Sequence, residues 1–149
     1  LQSLTSALVL RALARTYNLC VEAADACEEP NPSLPPQRHP SSHILKAIFS
    51  HPEMLAGEDQ FCASPGRALG NHLTGKLGAD GCYGFGIRAS KQTEYLVARG
   101  PIVVAVKVED GSVQIKCAVV AKLLDRLQIG TVGVREKLRN HRFIGGIRR

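Results

Sequence analysis

The sequence lacks tryptophan, has one methionine, and takes only 5% of its 149 residues from Phe and Tyr. It has no apolar run near the ~18 residues that a membrane-spanning helix needs. It also lacks a basic leader followed by an apolar block and a small-residue cleavage site. Its five cysteines, Cys20, Cys27, Cys62, Cys82 and Cys117, are odd in number, and no two stand in C-x-x-C spacing. That argues against a disulfide framework and against a structural zinc site, and leaves reduced, mostly buried thiols in a cytoplasmic protein as the expectation. Asn31-Pro32-Ser33 is no glycosylation acceptor, because proline holds the middle position. Acidic residues are nearly missing from the end of the chain. Residues 126–149 carry Arg126, Arg135, Lys137, Arg139, Arg142, Arg148 and Arg149 against Glu136 alone, while the rest of the chain is balanced. A basic tail over 130–149 is one footprint of nucleic-acid binding. Only Phe143 stands among those charges as a stacking surface, so a solvated terminal segment is the stronger reading.

What is present is globular: 44% hydrophobic and 21% charged residues, in a length that suits one domain over 1–149. Residues 3 to about 27 show helical periodicity, with Leu10, Leu13, Tyr17, Val21 and Ala24 on one face and Ser3 or Thr5 available as a cap. Residues 28–40 hold Pro30, Pro32, Pro35, Pro36 and Pro40 and read as an extended linker or insertion. Ser41 or Ser42 then caps a short helix to Ser50, and Glu53–Gly75 reads as irregular. Strand character begins near His72. It is clearest over Pro101–Val108, before a turn at Glu109-Asp110-Gly111 of the kind that makes hairpins. Ser112 caps a second long helix to about Ile129, with Val113, Cys117, Val120, Leu124 and Leu127 inward, and Gly130 and Gly133 end it. The order implies an α/β class, of the layered α+β kind, with helices packed on an antiparallel sheet. Two or three strands are few for such a sheet. Together with a first residue that is leucine, this gives the expectation of a piece of a longer chain.

Several catalytic patterns fail. Gly70-Asn-His-Leu-Thr-Gly75-Lys76-Leu77 approaches a phosphate loop, but Leu77 stands where a hydroxyl must hold magnesium. No Ser precedes a Lys by three residues, and there is no G-x-S-x-G or H-E-x-x-H. Ser42 and Lys46 lie four apart, which a helix cap beside a solvated lysine explains. His39 and His43 are also four apart, with Pro40 expected to break any helix between them. His51 and Glu53 read as fixing a helix end.

Lys76-Leu77-Gly78 remains. A lysine on a strand beside a nucleophilic serine stabilises its alkoxide, and the glycine lets substrate approach the backbone. Around it stand His51-Pro-Glu-Met-Leu-Ala-Gly57, Phe61-Cys62, Lys76-Leu-Gly-Ala-Asp-Gly-Cys-Tyr83 and Ile102-Val-Val-Ala-Val-Lys-Val-Glu-Asp-Gly111. In this order and spacing they resemble the C-terminal half of the asparaginase II family. The leading helix around Leu10–Arg15 and the segment Leu138–Gly146 are similar to further family elements.

The resemblance implies a fold like that of serine β-lactamases and glutaminases, and hydrolysis of L-asparagine to L-aspartate and ammonia through a Ser/Lys pair supported by a second lysine. By motif, Lys76 matches that second, catalytic lysine, and Gly78, Asp80 and Gly81 match substrate-binding positions. Asp80 reads equally as a turn residue. The family's Ser/Lys and cysteine motifs are not found in this sequence, so no metal ligand and no cofactor is assigned, although zinc belongs to the family. The expected partner is the small substrate L-asparagine, in a homo-oligomeric full-length protein with no membrane. On this reading the chain alone is inactive. The alternatives are a non-catalytic remnant of the family and, more remotely, a basic-tailed nucleic-acid-binding module.

Overall fold

The computed structural model describes residues 8–26, 39–56, 61–89 and 100–139. The proposed caps Ser3 and Thr5 and most of the Pro-rich stretch lie outside them. Helix α1 (Leu10–Ala26) buries Val21, Ala23 and Ala24. Helix α2 (His39–Ser50) starts earlier than the sequence suggests. Pro40 does not break it. In a first turn the missing proline N–H has no intrahelical partner to lose, and the fixed φ already suits a helix. Ser42 is therefore no cap; it is buried within the helix.

The region read as irregular also folds. It forms α3 (Glu53–Ala56), α4 (Ala63–Leu69) and a 3₁₀ turn (Gly70–His72) before strand β1 (Leu73–Leu77). Glycine and proline had masked short helices here. Pro65 sits in the first turn of α4, where it costs no hydrogen bond. Lys76 lies near the end of β1.

Strands β1, β2 (Cys82–Ile87) and β3 (Ile102–Lys107) form an antiparallel sheet in the order β1-β2-β3. Lys76 faces Gly84, and Gly84 faces Ala105. The connection between β1 and β2 is a tight turn. Asp80 and Gly81 both have positive φ, 52° and 73°. Cys82 N donates to Ala79 O at 3.1 Å and Gly78 N to Cys82 O at 2.9 Å. An Asp-Gly pair suits such a turn, whose twist matches the flanking strands.

Asp110-Gly111 is a turn, but not a hairpin. It leads from β3 into helix α5 (Val113–Arg126). Ser112 N donates to Asp110 Oδ1 at 2.9 Å, and the Ser112 hydroxyl accepts from Ile115 N at 3.2 Å, which caps α5 as expected. Gly130, with φ of 82°, follows the end of α5. Gly133 falls inside a further helix, α6 (Val132–Arg139), within the stretch read as a basic tail. Leu138 of α6 is buried, and Arg135 ties back to Asp125 at 3.4 Å and to the Gln128 side chain at 3.0 Å.

The core has two parts. The larger joins Phe61, Leu69, Leu73, Tyr83, Phe85, Val120 and Leu124 with their neighbours, between one sheet face and α4, α5 and α6. The smaller, of Val21, Ala24 and Leu45, joins α1 to α2 on the other side. No helix among the described residues is long and apolar enough to cross a membrane.

Candidate active site

Alternation along β1 decides what Lys76 can reach. Its neighbours Leu73 and Leu77 point their side chains to the large core, on the face where Gly75 is bare. Thr74 and Lys76 point to the opposite face, beneath α1 and α2. There a cleft of about 140 Å³ opens, lined by Tyr17, Cys20, Ser41, Leu55, Thr74 and Lys76 among others. The Lys76 ammonium donates to the Leu55 carbonyl at 2.9 Å. Leu55 belongs to the His51–Gly57 motif, so two segments that are separate in sequence meet at one cation.

The rest of the cleft supplies weak polar groups in an aliphatic wall. Burial raises the Tyr17 phenol above its usual range. Burial also raises the Cys20 thiol, opposed by a hydrogen bond with the Ser41 side chain. Both stay protonated at neutral pH, so Lys76 is the cleft's one charged lining residue among those described.

Phe61-Cys62 joins the same strand from the other side. Cys62 Sγ accepts from the Leu77 backbone N–H at 3.0 Å. Burial raises the Cys62 thiol; the Leu77 amide and the charges of Lys76 and Lys116 oppose this without reversing it. Cys62 is thus a protonated hydrogen-bond acceptor, not a thiolate nucleophile. The Leu77 bond also shows where the open edge of β1 lies. Lys76 and Gly78 use their backbone groups toward β2, so Gly75, like Leu77, directs its N–H away from β2, beside the cleft.

Gly78, Asp80 and Gly81 are not among the cleft-lining residues. They build the turn that closes β1 on β2. Gly81 is also required by packing, because a Cβ there would lie 2.6 Å from the Val108 carbonyl oxygen. Val108 N donates to Gly81 O at 3.0 Å, and Asp80 faces Lys107 at 3.4 Å with its side chain 79% exposed. The motif ending at Gly111 is thereby fastened to the Lys76–Tyr83 motif. His51 and Glu53 pair at 3.4 Å, and Arg67 adds a contact to Glu53 at 3.8 Å, so they fix the start of α3.

Sequence reasoning missed Lys116. It is 1% exposed, and its ammonium donates to the Gly78 carbonyl at 3.1 Å. Its spacing was a usable signal: it falls three residues after Val113 and four before Val120, on the inward stripe of α5. A zinc ion does not fit the described residues, which bring no three His, Cys, Asp or Glu side chains together as ligands.

Comparison with known proteins adds one finding. The family model for L-asparaginase II matches residues 4–144, nearly the whole sequence. No curated protein matches significantly.

Proposed function

From the premise that this chain belongs to the L-asparaginase II family, we propose that it is an asparaginase-like amidohydrolase acting on L-asparagine, with Lys76 as a catalytic residue. The observation that carries the reading is the Lys76 ammonium at the rim of a small cleft, bound to the Leu55 carbonyl. Hydrolysis of a side-chain amide needs an attacking hydroxyl and stabilisation of charge on the amide oxygen. A lysine ammonium stabilises the alkoxide form of the hydroxyl. The Gly75 N–H at the open edge of β1 is a donor of the type that stabilises the oxyanion. The cleft suits a small amino acid: hydroxyls of Ser41 and Thr74 for hydrogen bonds, and apolar walls elsewhere.

Gly78, Asp80 and Gly81 serve this site through the turn geometry they impose on β1. Direct contact with substrate, as the family motif implies, requires a bound molecule that extends beyond the cleft toward the turn. The same reading carries a cytoplasmic homo-oligomer. The free state of Cys20, Cys62, Cys82 and Cys117 supports a reducing compartment, and exposed Leu8, Val9 and Met54 offer apolar contact surface.

The test is ammonia release from L-asparagine by the whole natural protein, with and without Lys76→Ala. Loss of a positioned acid–base group costs about 10²–10⁴-fold in rate. A drop in kcat of that size with normal folding is expected. Full activity in Lys76→Ala removes Lys76 from the mechanism.

A further inference from the structure

The buried ammonium of Lys116 has no part in the reading above. No carboxylate lies within ion-pair distance of it among the described residues, and its one described hydrogen bond is to the Gly78 carbonyl at 3.1 Å. Burying an ammonium costs several kcal/mol, which a single neutral acceptor offsets only in part, and apolar residues of similar volume often do as well or better in such places. Stability alone therefore does not account for a lysine here. What the contact does is fix one carbonyl, two residues beyond Lys76.

That contact is one of three on the same stretch of chain. The Lys76 side chain is tied to the Leu55 carbonyl, the Leu77 amide to Cys62 Sγ, and the Gly78 carbonyl to Lys116. The three partners come from α3, from the residue before α4, and from α5. Three successive residues are thus each held by a different element. The Lys116 tie comes from a side chain that is itself buried, and it reaches the strand end where the turn to β2 begins.

We infer that Lys116 is a positioning residue: its hold on the Gly78 carbonyl sets the end of β1 so that the Lys76 ammonium meets the Leu55 carbonyl at the cleft rim. The inference rests on the amidohydrolase reading for its effect on turnover, but not for its geometry.

The experiment compares wild type with Lys116→Met, Lys116→Gln and Lys116→Arg, each checked for a cooperative melt. Competitive acetylation by acetic anhydride, read peptide by peptide in a mass spectrometer, gives the labelling of Lys76 relative to Lys122. Lys122 is the internal reference, with its side chain 76% exposed. Releasing Lys76 from the Leu55 carbonyl raises the ratio about three- to tenfold, the factor that a lost hydrogen bond of ordinary strength gives. The rise is expected in both Met and Gln variants, with return toward the wild-type ratio in Lys116→Arg. In an active protein, kcat falls with KM held. An unchanged ratio in a folded Met or Gln variant overturns the inference. Failure of both variants to fold overturns it too, because Lys116 is then a folding residue. A whole natural protein that releases no ammonia from asparagine refutes the amidohydrolase reading and leaves the labelling ratio to judge Lys116.

Discussion

Toward α1, strand β2 presents Gly84 and Gly86; toward α5 it presents Tyr83 and Phe85. A Cβ on Gly84 would lie 2.3 Å from the Tyr17 ring, and one on Gly86 would lie 2.5 Å from Val21. On the α1 face, then, the helix supplies the bulk and the strand is bare. On the other face the strand supplies the bulk, and the helix side chains are medium-sized, Val120, Ala121 and Leu124. Within β1 the arrangement inverts locally. Gly75 is bare on the aromatic face, because the Tyr83 hydroxyl and Phe85 Cβ occupy the space of its side chain, at 2.6 and 2.8 Å from an added Cβ. The comparison separates two ways of filling a sheet face. A bare strand allows close helix approach and leaves a cleft where the helices part, which is where Lys76 emerges. A bulky strand leaves a sealed core.

The largest effect expected from breaking this division is Gly75→Ala. Its added methyl meets the buried Tyr83 ring and the Cβ of Phe85, both fixed on the neighbouring strand. Overpacking of this sort costs about 3 kcal/mol, at the top of the usual range. Gly84→Ala meets the edge of the Tyr17 ring instead, on a helix that can shift, and is expected to cost about half as much. Urea midpoints of the two variants decide the order. Equal losses would mean that α1 is held as rigidly as the core.

A smaller effect is expected at the tie between α1 and the sheet. Arg88 follows β2, its side chain is 9% exposed, and its Nε lies 2.5 Å from Asp25 Oδ1 near the end of α1. Arg88 also lies over the Phe49 ring of α2, 5.9 Å from its centre. Removing the carboxylate partner of a buried cation is costly, but Asp25 is 28% exposed and water lowers the loss. Asp25→Asn is expected to lower stability by about 1–2 kcal/mol, judged against the full loss for a wholly buried pair. The decrease should appear in α1 and α2 first, as faster amide exchange there than in α5. Uniform exchange across both faces would show that the two layers unfold as one.

Much of this was legible in the sequence, and the misses share a cause. The stripe of α5, the Ser112 cap and the β-branched run of β3 are strong local signals, and they fold as read; α1 begins only at Leu10, not near residue 3, and leaves Leu10 exposed. The motifs around Leu55, Cys62, Lys76 and Gly111 were legible as an ordered set, but their meeting at β1 was not, because it depends on which strand edge lies open. Glycine and proline misled where their position in an element mattered more than their presence. Pro40 and Pro65 stand in first turns, Gly133 lies within α6, and Gly75 sits in a strand where a neighbouring ring fills its place. Lys116 falls among the apolar positions of α5, and the Gly78 carbonyl that it meets is distant in sequence, so only the fold brings the two together.

The smallest effect expected is absent at neutral pH and grows in alkali. Burial pushes the Cys117 thiol up to about 11 from an ordinary 9.0, with the Lys116 charge opposing. Below pH 9 the thiol is protonated whether the chain is folded or not, and its contribution to stability is complete. Above that, the unfolded chain releases its proton while the folded one keeps it, so stability falls with rising pH until about 11, where the folded thiol also ionises. Cys62 and Tyr83, on the same side of the sheet, are raised by burial and act in the same direction. Cys20, at the cleft on the α1 side, is raised as well, with a hydrogen bond from Ser41 opposing. Urea midpoints taken at about pH 8 and about pH 10 should therefore fall in wild type and fall less in Cys117→Ala. Cys20→Ala should flatten the decline less than Cys117→Ala does, because its thiol opens on the cleft and Cys117 is sealed in the large core. The reverse order would place the drier environment on the glycine face, and the division between a sealed face and a cleft-bearing one would fail.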